Sequence, residues 1–178
     1  QAHQLIRKKD GWMGAEPHHH LINVTVSGSW WSGLPDEWGV PHTTMRDGAP
    51  NGYTVLKFSE NRKPEIVFKA ARGPEEFQMS VFAPDSIELG NVKETLVYVN
   101  VFNGWDDSVV QVRWNSEGNW QTMDKSLEKD PNHQAVFDRE PETPPSPYKR
   151  ISAPVDSRHL WKGRLNPDIG VGVHALQV

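Results

Sequence analysis

The chain has 178 residues, a net charge of -4 at neutral pH, 36% apolar residues and no cysteine. Its scattered, slightly acidic charges exclude a phosphate-tracking nucleic-acid binder, which needs a basic face. The lack of cysteine excludes disulfides and Cys-ligated zinc. Eight tryptophans and six phenylalanines offset the modest apolar share, because each large ring buries far more surface than an alanine. One large domain or two small ones can therefore form a core.

In chain order, Gln1-Ala2-His3-Gln4 has neither an initiator Met nor an apolar h-region, and reads as a processed or engineered start. Alternation of apolar and polar residues predicts strands over Leu21–Val26, Tyr53–Phe58, Glu65–Lys69, Phe77–Phe82, Thr95–Phe102, Val109–Trp114, Trp120–Met123 and Val173–Val178. In Thr95–Phe102 a leucine, a tyrosine and an asparagine alternate against three valines, so one face can be buried. Turns at 103–107 and 116–119 suggest an antiparallel meander from there into Trp120. A turn of helix is expected over Lys125–Lys129, before Asp130-Pro131. Ala71-Arg72-Gly73-Pro74 reads as a junction between two sets of strands, and the four prolines of 140–147 as a stiff extended connection. No apolar run approaches the roughly 20 residues of a membrane span.

Three constellations can carry chemistry. His18-His19-His20 has a metal-binding residue type, but neighbours on a strand point to opposite faces, so at most two converge. Trp30, Trp31 and Trp38 can form an aromatic platform for sugar rings or plug the space between two sheets. His42, Arg46, Asp47, Asn51 and Tyr53 form a polar set. In it Arg46 can hold a phosphate or carboxylate and His42 can donate a proton. Asp47-Gly48 and Asn51-Gly52 are equally at home in plain turns. His133, His159 and His174 are isolated and read as structural. No nucleophile elbow, phosphate loop, dinucleotide fingerprint or zinc-protease motif occurs.

Gly28-Ser29-Trp30-Trp31-Ser32-Gly33, Val40-Pro41-His42 before Met45-Arg46-Asp47-Gly48-Ala49-Pro50-Asn51-Gly52-Tyr53, and Val99-Asn100-Val101-Phe102-Asn103-Gly104 form an ordered set. It continues into Met123, Asp130-Pro131, Ser157-Arg158-His159-Leu160-Trp161 and Gly172–Val178. Together they resemble the C-terminal region of bacterial calcineurin-like metallophosphoesterases over most of the chain.

Such enzymes hold two divalent metal ions through Asp-x-His, Gly-Asp, Gly-Asn-His-Asp/Glu and Gly-His-x-His motifs, and the pair clamps attacking and leaving oxygens. None of these motifs occurs in the 178 residues. The resemblance therefore implies a fragment downstream of the metal-binding core, with no metal ligand and no catalytic residue of its own. It also implies an all-β fold. Residues 1–70 would supply strands that end a phosphoesterase sheet, and residues 71–178 an immunoglobulin-like antiparallel β-sandwich. Trp30, Trp31, His42, Arg46, Asp47, Asn51 and Tyr53 are the substrate-contact candidates. The expected role is scaffold or substrate contact for an intact phosphoesterase, the chain being inactive alone. The alternative is an independent carbohydrate- or partner-binding β-sandwich using Trp30, Trp31 and Trp105. The expected partners are the missing N-terminal catalytic core and a second copy paired through exposed strand edges. An extracytoplasmic location is suggested by the resemblance.

Overall fold

A computed structural model of the chain describes residues 1–60, 64–164 and 170–178. The fold is all-β. Its strands are β1 Ala2–Ile6, β2 His18–Ile22, β3 Gly52–Phe58, β4 Pro64–Ala70, β5 Met79–Phe82, β6 Leu96–Val101, β7 Gln111–Trp114, β8 Gln121–Thr122, β9 Asp124–Lys129, β10 Asp156–Arg164 and β11 Leu176–Gln177, with helix α1 at Pro131–Arg139. They form antiparallel pairs β1-β2 and β3-β4, a four-stranded sheet in the order β5-β6-β10-β9, and a three-stranded sheet in the order β11-β7-β8.

Strand β6 organises the molecule because both its faces are buried. Val97 and Val99 point one way, where they join Val110, Val112, Met123 and Trp161 in a core shared by the two larger sheets. On the other face, Asn100 lies opposite Leu160 of β10. Just beyond the strand, Phe102 packs with Val24, Ala49, Phe68 and Ala70 in a second core. The alternation in Thr95–Phe102 thus marked one face correctly and hid a polar burial on the other.

The predicted meander is corrected in one place. β6 pairs with β5 and β10, while β7 pairs with β8 and β11, so the 103–107 turn carries the chain from one sheet to the other. The valines of β6 and β7 meet across the core instead of side by side.

The helix prediction is also corrected. Residues 124–129 form β9, which pairs with β10 from Lys129↔Asp156 to Asp124↔Lys162. The helix begins after it, where the Asp130 side chain accepts the His133 N–H at 2.8 Å and Pro131 fills the first turn. β1 and β10 bury polar residues, His3 in the first and Ser157 and His159 in the second, which hides their pattern from an apolar/polar alternation. The strand expected over Leu21–Val26 runs instead over His18–Ile22, where it pairs with Ala2–Ile6, and it stops short of the turn in which the Gly28 N–H donates to the Thr25 carbonyl at 3.0 Å.

Candidate functional site

The 27–51 segment is a long loop pinned to the rest of the chain at many points. Gly28 has φ +59° and is followed by Trp30 and Trp31, whose φ values of 72° and 50° are also left-handed. Side chains other than glycine adopt this region at a cost of about 1–3 kcal/mol each, so surrounding contacts must impose it. Those contacts are on hand. The Ser29 N–H donates to the Thr43 carbonyl at 2.9 Å and the Lys149 N–H to the Ser32 carbonyl at 2.7 Å. The buried Glu140 carboxylate receives the Leu34 N–H at 3.1 Å and the Ile151 N–H at 2.7 Å.

Held this way, the tryptophans face outward: Trp30 is 85% exposed, Trp31 41% and Trp38 67%. The Arg72 guanidinium lies 5.5 Å from the Trp31 ring and 5.1 Å from the Trp38 ring, and pairs with Asp36 at 2.7 Å. Beside this cluster is a groove of two adjoining cavities of about 210 and 220 Å³, both lined by His42, Thr44, Pro50 and Phe77. Trp38, Asn51 and Arg72 border the first, and Ser80, Asp130 and His133 the second. The His42 and His133 ring centres are 6.3 Å apart.

Beneath the groove runs a buried polar network. Asn100 Nδ2 donates to the Asp47 carbonyl at 3.0 Å and to Asp130 Oδ2 at 2.9 Å, and Asn100 Oδ1 lies 2.6 Å from His159 Nδ1. His159 Nε2 is 3.3 Å from Asp47 Oδ2, which also faces the Gln1 nitrogen. Gly48, with φ +85°, passes so close that a Cβ there would sit 2.6 Å from Asn100 Nδ2. Burial pushes the Asp47 carboxyl up, but the adjacent His159 ring outweighs it and holds the carboxyl below the ordinary carboxylate range. Burial is the largest influence on His42 and His133 and lowers both below the ordinary imidazole value.

Of the seven candidates, His42 and Asn51 line the groove. Asp47 is turned into the network, and Asn51 also bridges Thr43 and the Val26 carbonyl. Arg46 lies at the surface with its Nε–H on the Ala153 carbonyl at 2.8 Å. Tyr53 is exposed on β3, Trp30 projects into solvent, and Trp31 backs Arg72. Trp105 stacks on His3 at 5.1 Å. Phe77, Ser80, Asp130 and His133 were not singled out as site residues. Asp130-Pro131, a cap followed by a first-turn proline, is the signal that places His133 in an ordered helical turn.

No group of three His, Asp or Glu side chains among the described residues gathers to hold a metal ion. His18, His19 and His20 alternate along β2; His18 stacks on Trp12 and His19 contacts His3. The family model for the C terminal of calcineurin-like phosphoesterase matches residues 20–178, and the chain belongs to that family. No curated protein and no solved structure matches it.

Proposed function

We propose, from membership of the calcineurin-like phosphoesterase C-terminal family, that this chain is the non-catalytic C-terminal portion of a metal-dependent phosphoesterase. It serves as scaffold and substrate-contact module for a catalytic core supplied by other sequence. The observation that carries this reading is the match of residues 20–178 to that C-terminal region, read with the absence of all four metal-binding motifs from the sequence. Two divalent ions on the catalytic core would clamp the phosphoester oxygens. Among the described residues no three His, Asp or Glu side chains gather to hold such an ion, which suits a part that contributes surface.

Two features suit that role. The β3-β4 hairpin leaves Leu56 and Phe58 exposed on one face and Val55 on the other, apolar surface fit for the core or, in the isolated chain, for a second copy. The groove around His42 offers a walled recess for part of a substrate. The test is phosphatase activity with added manganese, measured on the 178-residue chain and on the protein carrying the upstream metal-binding sequence. Turnover is expected only from the second, and His42→Ala there should raise KM more than it lowers kcat. Reproducible turnover by the chain alone would overturn the reading.

A further inference from the structure

The groove carries unused hydrogen-bonding atoms. His42 Nδ1, His133 Nδ1 and Ser80 Oγ are buried without a partner, and all three residues line the cavity between Phe77 and α1. Buried polar atoms are ordinarily paired, and each one left alone disfavours the empty state. His133 is 1% exposed, and its Nε2 lies 3.3 Å from the Ser152 carbonyl, which only accepts. Nε2 therefore carries the proton, and in the uncharged ring Nδ1 is a bare acceptor. Burial keeps the ring uncharged. A ligand that satisfies it must bring an O–H or N–H donor, which a carboxylate or a fully ionised phosphoester lacks.

The Arg72, Asp36 and Asp130 charges around the groove are already neutralised from within, while Glu37 borders the first cavity at an exposed position. Arg72 is paired with Asp36, whose other oxygen accepts the Trp38 N–H at 3.0 Å and the Val40 N–H at 3.2 Å. Both oxygens of Asp130 are taken, by the His133 N–H and by Asn100. An anion therefore finds no free counter-charge on the floor, and a cation meets the exposed Glu37 carboxylate at the edge of the first cavity. The rest of the groove presents uncharged polar atoms beside flat rings. Phe77 borders both cavities and is held by an edge contact with Phe102 at 5.0 Å, and the exposed Trp38 stands on the rim, backed by Arg72. Together the cavities reach the scale of about 300–1,000 Å³ usual for small-molecule sites.

We propose that the Trp38–Phe77–His133 groove binds a neutral sugar ring, its apolar face on the aromatic rings and its hydroxyls on His42, Ser80 and His133. A ring with C–H groups on its faces and hydroxyls at its edge matches flat rings flanked by uncharged acceptors. This deepens the substrate-contact half of the function proposed above and rests on it only if the sugar is part of the phosphoester substrate.

The experiment titrates the 178-residue chain with neutral mono- and oligosaccharides, following tryptophan fluorescence and the imidazole NMR signals of His42 and His133. Tetramethylammonium and inorganic phosphate are the ionic controls. Saccharide binding should shift both imidazoles, and Trp38→Ala should weaken it roughly tenfold, the loss of one stacking face. Ser80→Ala should weaken binding while leaving stability equal or higher, because it removes a buried unpartnered hydroxyl. A purely structural groove would gain that stability with no sugar response at all. The proposal is overturned if no saccharide moves these signals, if either ion moves them more, or if Trp38→Ala binds unchanged. In the protein carrying the catalytic core, the same saccharide should raise KM if the sugar belongs to the substrate. An unchanged KM with intact binding assigns the groove to a separate glycan and removes only its substrate-contact role.

Discussion

At the scale of single residues, the histidines set how the fold answers to acid. His42 and His133 are held below the ordinary imidazole value of 6.5, by burial first, and His3 likewise. In the folded chain these rings stay neutral at pH values where the unfolded chain already takes up protons. The unfolded state then binds more protons, so stability is fully present above about pH 6.5 and declines as pH falls below it. Asp47 acts in the same direction further into acid, since its folded carboxyl lies below the ordinary range. Urea midpoints measured from about pH 8 down to pH 5 should fall, and His42→Gln should flatten the decline. A midpoint flat across that range would contradict the burial assigned to these rings. The polar set of Asp47 and Asn51 was visible in the sequence as residue types, but not its purpose. The partners that bury Asp47 lie far along the chain, with Asn100 53 residues away. Local spacing cannot show that one asparagine ties a loop, a helix cap and a histidine together.

At the scale of elements, α1 is held to the sheet by the same carboxylate that caps it. Asp130 accepts the His133 N–H with one oxygen and Asn100 Nδ2 with the other. Asp130→Ala should cost roughly 1–3 kcal/mol, a cap worth about 1 plus the loss of a buried partner. Asparagine caps helices as well as aspartate does, yet Asp130→Asn should recover little. Its amide has one acceptor where two donors arrive, so an N–H would face an N–H. Denaturation midpoints of the two variants should therefore lie close together, and full recovery by asparagine would reduce Asp130 to a cap. Strands with clean alternation, such as β3, β4 and β6, were legible in the sequence. β9 was not, because Asp124-Lys125-Ser126-Leu127-Glu128-Lys129 owes its extended form to pairing with β10 and leaves Leu127 in solvent. The helix lies after Asp130-Pro131 and not before it, because aspartate followed by proline, a pair that can follow a helix, here starts one.

At the scale of the whole molecule, residues 1–70 hold the pairs β1-β2 and β3-β4 and residues 71–178 the two larger sheets, and buried bonds tie the two sets together. Asn100 reaches back to the Asp47 carbonyl, and Glu140 holds both Leu34 and Ile151. The Val155 N–H donates to the Arg46 carbonyl at 3.0 Å, and Phe102 sits in a core with Val24, Ala49 and Phe68. Removing residues 1–70 would leave the Val97–Trp161 core in place but strip the cover from the second face of β6. Asn100, Asp130 and His159 would then face water or collapse without their partners, and Phe102 would lose its neighbours. A small domain has little stability in reserve, commonly about 5–15 kcal/mol, and several such losses use up much of it. The full chain should therefore unfold in one transition, with tryptophan fluorescence and far-UV circular dichroism coinciding. Residues 71–178 made alone should melt broadly and bind a hydrophobic dye, the behaviour of a chain that keeps strands but loses fixed packing. A sharp, reversible transition of 71–178 at the stability of the full chain would show that the first 70 residues are an attachment, not part of the core.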